Sequence, residues 1–151
     1  MHVLVLGAAG MIGRKLTARL VADGNVGGHA IEGLTLVDVI LPQQPAGAAG
    51  QVDVVAANLA APREAERLVE ARPDLIFHLA AVVSGEAEAD FEKGYEVNLD
   101  GTRALLDAVR AAHLADRYCP RLVFASSIAV YGAPLPNPCL LYTSPSPRDR
   151  S

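Results

Sequence analysis

The amino-acid sequence predicts a doubly wound α/β fold, a parallel sheet covered by helices on both faces. Three observations predict it. Short, almost continuously apolar runs alternate with segments of helical periodicity, a pattern that only a sheet buried on both sides tolerates. A glycine-rich turn joins the first run to the first helical segment, and the second run ends in a carboxylate. The first strand is His2-Val3-Leu4-Val5-Leu6, stopped by Gly7, and Ile12, Leu16 and Leu20 then recur every four residues along a helix from Gly10 to Asp23. A connection rich in glycine (Gly24, Gly27, Gly28, Gly33) leads to the second strand, 34–39, which carries Asp38 near its end. After a loop over 40–50, Val52-Asp53-Val54-Val55 reads as the third strand. Pro62 suits the first turn of a helix bearing Ala65, Leu68 and Val69, and Pro73 stops it before the fourth strand, 75–80. The longest helix spans about 91–113, with Val97, Leu105 and Val109 on one stripe, and 121–127 is the fifth strand.

Composition fits a single domain with a sizeable core: 151 residues, 51% hydrophobic and 20% charged. A formal net charge of -4 offers little to a nucleic acid backbone or an anionic membrane, so a nucleotide or small metabolite is the expected partner. Two cysteines, Cys119 and Cys139, and the lack of a basic, apolar leader point to a reducing cytoplasmic setting. No apolar run approaches the roughly 18 residues of a membrane span. Cys119 and His113 are too isolated to bind a metal, and no metal is expected.

The turn Gly7-Ala8-Ala9-Gly10-Met11-Ile12-Gly13 sits where a dinucleotide's pyrophosphate meets a helix N-terminus. Gly7 permits the tight turn, Gly10 lets backbone N–H groups approach the phosphates, and Gly13 lets the helix pack closely on the sheet. Asp38 is placed to accept the ribose hydroxyls, and its charge would repel a 2′-phosphate, which favours NAD over NADP. Arg14, a base beside the turn, is the counter-consideration. A P-loop is excluded because no Gly-Lys-Ser/Thr follows at the required spacing.

The Gly-x-x-Gly-x-x-Gly form resembles the extended short-chain dehydrogenase/reductase family of NAD-dependent sugar epimerases and dehydratases. Three further stretches agree: His78-Leu79-Ala80-Ala81, Asn98-Leu99-Asp100-Gly101-Thr102 and Ser126-Ser127-Ile128-Ala129-Val130-Tyr131-Gly132. The resemblance implies a Rossmann fold. It puts Met11, Ile12, Gly13, Leu79, Ala80, Ala81 and Asn98 at cofactor positions, Asn98 as a hydrogen-bonding residue of the central helix. It also puts Asn58-Leu59 beside the adenine, where the family has an Asp, and Ser127 at the catalytic serine position. Ser84 and Glu86 fall where a loop would meet nicotinamide ribose or substrate; a solvated loop is the alternative. His78 and Tyr131 read as packing residues. Residues 77–91 with 98–103 further resemble the D-erythronate dehydrogenase subgroup, which implies NAD-dependent oxidation of a small sugar acid at C2. Homodimerisation through the long helix is also implied. Two alternatives stay open, a nucleotide-sugar epimerase or dehydratase and a non-catalytic dinucleotide-binding sensor.

That chemistry requires a Tyr-x-x-x-Lys pair, whose Lys lowers the tyrosine's pKa. The lysines are Lys15 and Lys93, neither follows a tyrosine by four, and Tyr142 has Ser146 at that spacing. Five of the ten prolines (Pro134, Pro136, Pro138, Pro145, Pro147) crowd the last stretch, where periodicity vanishes. The segment from Cys139 to Asp149 resembles a translated transposase-type sequencing adapter. The expectation is therefore a cofactor-binding domain over 1–138 without the small C-terminal substrate domain, followed by a non-native tail over 139–151. Such a chain should lack turnover.

Overall fold

The computed structural model describes residues 1–127, the side chain of Ser84 excepted; the tail, Tyr131 and the remainder of the serine motif lie outside the described residues. A parallel sheet is built from β1 (His2–Leu6), β4 (Gly33–Asp38), β5 (Gln51–Ala56), β6 (Leu75–His78) and β7 (Arg121–Phe124). Its order is β5-β4-β1-β6-β7. The chain steps outward from β1 on one side and then returns to the other, so the order reverses at β1. In open α/β sheets the crevice at that reversal, beyond the carboxyl ends of the strands, is where ligands bind.

Alternation along β1 assigns its two faces. Val3 and Val5 pack with Leu20, Leu34, Leu36 and Leu75 beneath α1 (Met11–Asp23). Leu4 and Leu6 pack with Ile76, Leu105 and Ala108, and with Ala65, Leu68 and Val69, beneath α5 (Gly101–Asp116) and α2 (Glu64–Glu70). Both faces of the central strands are therefore covered, as the unbroken apolar runs require.

Four features depart from the expectation. The glycine-rich connection contains a small antiparallel hairpin, β2 (Asn25–Val26) with β3 (His29–Ala30). Its two-residue link, Gly27-Gly28, takes positive φ at both positions, the geometry a tight hairpin turn demands. A short helix, α3 (Ser84–Ala89), follows β6. The long helix is not uniform: α4 (Phe91–Tyr95) passes through a π-turn at Glu96–Asp100 before α5. Finally, β7 is exposed along its whole length, with Phe124 52% accessible, because it pairs only with β6 and no described helix lies across it.

Candidate dinucleotide-binding cleft

The carboxyl ends of β1, β4 and β6 converge on the turn after β1. Gly7 adopts φ +87°, and its N–H donates to the Val37 carbonyl at 2.8 Å, as does that of Ala8 at 3.1 Å. A Cβ on Gly7 would lie 2.6 Å from the Ala80 nitrogen, so the loop after β6 presses directly on the turn. Gly13 is equally constrained: its Cβ would overlap the Gly7 carbonyl oxygen and stand 2.7 Å from the Ala8 Cα. Gly10 is different. It caps α1 without a side-chain hydrogen bond, and its Cβ would reach the Gly7 oxygen at 3.3 Å, a tight but adjustable contact. The fold thus needs Gly7 and Gly13 for its own packing, while Gly10 leaves backbone bare at an exposed helix N-terminus.

Asp38 closes the turn from the side. One carboxylate oxygen accepts the Ala9 N–H at 2.9 Å and the other accepts the Val39 N–H at 2.8 Å. Each oxygen retains a lone pair, so the carboxylate both fixes the glycine turn and remains available to hydroxyl donors.

These groups line a cleft of about 460 Å³ together with Asn58, Leu59, Leu79, Ala80, Ala81 and Glu86. Val39, Ile40, Val82, Lys93 and Val97 also line it, and sequence reasoning missed them. Lys93 and Val97 are four residues apart on one helix face, which was the available signal. Met11, Ile12, Gly13, Asn98 and Ser127 are not among the lining residues. Met11 and Ile12 are exposed at the start of α1, and Gly13 is buried under the turn. Ser127 follows β7 by three residues, at the same edge of the sheet as the glycine turn. Arg14 faces elsewhere, into a separate cavity shared with Thr17, Gln43 and Gln44.

Two asparagines hold the cleft's far wall. Asn98 spends both ends of its amide on one residue: its oxygen accepts the Val82 N–H at 2.8 Å and its nitrogen donates to the Val82 carbonyl at 3.0 Å. It therefore positions the loop after β6. Asn58 accepts the Ala60 N–H at 3.0 Å and donates to Glu96 at 2.8 Å, which ties the loop after β5 to the π-turn. Glu86 and Lys93 form an ion pair within the lining, and that contact raises the lysine pKa above its ordinary value.

His78, at the end of β6, is buried and in edge contact with Phe124. Thr102 donates its hydroxyl to the Asn98 carbonyl, so the 3.0 Å contact between His78 Nε2 and Thr102 Oγ1 must have the imidazole as donor. Burial pushes the His78 pKa down, which keeps the ring neutral. The unfolded chain takes up that proton first, near pH ~6.5. Stability contributed by His78 is thus complete above that pH and falls on acidification until the folded ring titrates. His78→Gln is expected to flatten the stability curve below pH ~6.5, by up to ~1.4 kcal/mol per pH unit, in urea melts run across pH.

The glycine cradle and the free lone pairs of Asp38 fit a dinucleotide, with its diphosphate at the turn and its ribose hydroxyls at the carboxylate. Residues 3–149 match the NAD dependent epimerase/dehydratase family. The chain belongs to this family. Among curated proteins it is 44% identical to D-erythronate dehydrogenase of Cupriavidus necator over 140 residues, covering 90% of this chain and 41% of that protein. It is 36% identical to D-erythronate dehydrogenase of Haemophilus influenzae over 148 residues, covering 98% of this chain and 44% of that one. A crystal structure described as a nucleoside-diphosphate-sugar epimerase from Agrobacterium tumefaciens superposes with TM-score 0.88 at 66% identity, covering 91% of this chain and 40% of that one. Uronate dehydrogenase from the same organism, complexed with NAD, superposes with TM-score 0.65 at 33% identity, over 87% of this chain and 42% of that one. The chain thus spans less than half the length of these relatives. This epimerase/dehydratase family member places its glycine turn at the strand-order reversal. No helix among its described residues is long and apolar enough to cross a membrane.

Proposed function

We propose that the chain is the NAD-binding portion of a dehydrogenase that oxidises a small sugar acid, D-erythronate, at C2 to 2-dehydro-D-erythronate. The observation that carries this reading is the pairing of the Asp38-closed glycine turn with identity to two D-erythronate dehydrogenases across nearly the whole chain. Gly7, Gly10 and Gly13, with Met11 and Ile12, hold the diphosphate at the start of α1. Asp38 takes a ribose diol, which selects NAD over NADP because a 2′-phosphate would meet the carboxylate. Asn58 and Leu59 border the adenine, and Leu79 to Ala81 border the nicotinamide half, held in place by Asn98. Bound NAD supplies a hydride acceptor. Ser127 orients the substrate hydroxyl, and Ser84, in the segment after β6, is the second substrate contact. No Tyr-x-x-x-Lys occurs in the sequence, and because the chain spans less than half the length of its relatives the base is proposed to lie in the remainder of the whole protein. The tail over 139–151 is proposed to be non-native, the whole protein to be a cytoplasmic homodimer, and this chain to bind NAD without turnover.

The test is the complete protein incubated with NAD and D-erythronate. Stoichiometric NADH and 2-dehydro-D-erythronate are expected, and no NADH with this or related sugar acids would refute the reading. A second reading, a nucleotide-sugar epimerase, is favoured by the 66% identical structure. It predicts interconversion of nucleotide sugars with no net NADH.

A further inference from the structure

The dinucleotide reading leaves the diphosphate's charge unanswered by any side chain of the glycine turn. The first turn of α1 contributes backbone N–H groups and a helix end, and Arg14 faces a different cavity. Among the described residues lining the cleft, Lys93 is the one base, set against the carboxylates of Asp38 and Glu86.

The helix that carries it is tied to both neighbouring loops. Glu96 binds Asn58, which marks the adenine end, while Asn98 clamps Val82 in the loop after β6. Lys93 lies about one helical turn, roughly 5 Å, before Val97. It stands beside Glu86 of α3, with which it is ion-paired in the cleft lining. Lys93 and Gly10 thus line one and the same cleft. The ammonium has three donors, of which Glu86 uses one. Asp90 caps α4 by accepting the Lys93 N–H at 3.1 Å, which fixes the backbone from which the side chain reaches.

We infer that Lys93, steadied over the cleft by Glu86, is the side-chain cation that binds the diphosphate of the dinucleotide. This rests on the dinucleotide reading and goes beyond it by assigning phosphate recognition to a residue outside the glycine turn. Glu86 becomes a positioning residue, in place of the ribose or substrate contact its sequence position suggested.

The test is calorimetric titration of the chain and of its Lys93→Met and Lys93→Arg variants with NAD at low and high salt, with adenosine as the phosphate-free control. Lys93→Met should weaken NAD binding about tenfold or more and reduce its salt dependence, with adenosine binding and the melting temperature unchanged. Lys93→Arg should retain most of the affinity. Equal NAD affinity in Lys93→Met, equal losses for NAD and adenosine, or an arginine variant no better than methionine would overturn the inference while leaving the dinucleotide reading intact. Absence of NAD binding by the unsubstituted chain would remove both.

Discussion

Gly13→Ala is expected to lower the folding stability by about 3 kcal/mol, roughly 10 °C in melting temperature, and to abolish NAD binding. The added Cβ would overlap the Gly7 carbonyl oxygen and stand 2.7 and 2.9 Å from Ala8 backbone atoms. Backbone cannot swing aside as a side chain does, so α1 must lift from β1. Ala8 and Leu20 belong to the core cluster beneath α1, and lifting the helix loosens that cluster. The displaced helix end no longer faces the cleft. Two other glycines serve as controls. Gly24, at the C-cap of α1, has φ +63° but nothing within 4 Å of its Cβ, so Gly24→Ala should cost only the left-handed strain, about 1 kcal/mol, and spare NAD. Gly10→Ala should leave the fold nearly unchanged and weaken NAD, since its Cβ meets one adjustable atom but occupies the phosphate's approach. Thermal melts and NAD titrations of the three variants should rank them in opposite orders for Gly24 and Gly10.

Asp38→Ala is expected to weaken NAD at least about 100-fold. Charge-assisted hydrogen bonds contribute about 1.5–3 kcal/mol each, and the ribose diol offers two. The carboxylate also binds the N–H groups of Ala9 and Val39, so its loss releases the glycine turn as well as the ribose. NADP should gain relative to NAD because the repelling charge is gone. Asp38→Asn separates the two roles. It keeps one carbonyl acceptor but turns an N–H donor against a backbone N–H, so it should bind NAD poorly while discriminating less against NADP. Titration of each variant with both dinucleotides reads the result.

Much of this arrangement is written locally in the chain. Val3 to Leu6, Leu34 to Asp38 and Leu75 to His78 are runs too apolar for any element but a strand buried on both faces, and Gly7 to Gly13 is a local pattern whose spacing reflects close backbone packing. What the sequence conceals depends on distant partners. The π-turn at Glu96–Asp100 coincides with Asn58 binding Glu96 and Asn98 binding Val82, and no helical periodicity announces either bond. The six residues of α3 contain Gly85 and lack an apolar stripe. Lys93 meets Glu86 across the break at Asp90, outside the i, i+4 spacing that marks pairs within one helix. Arg14 is adjacent to the turn in sequence but lines a separate cavity with Ala8, Thr17 and Gln43, because successive helical residues face different directions. The Gly27-Gly28 hairpin was readable from the glycine pair alone, a recognised turn signal, while its flanking strands, Asn25–Val26 and His29–Ala30, carry no apolar alternation.

The central claim is that this chain, through Gly7, Gly10, Gly13 and Asp38, holds NAD. The most direct measurement is isothermal titration of the unsubstituted chain with NAD and, separately, NADP. The account predicts one saturable site for NAD and at least about tenfold weaker binding of NADP, as expected where a 2′-phosphate meets a carboxylate. No saturable NAD binding by a chain that melts cooperatively, or a preference for NADP, would contradict it.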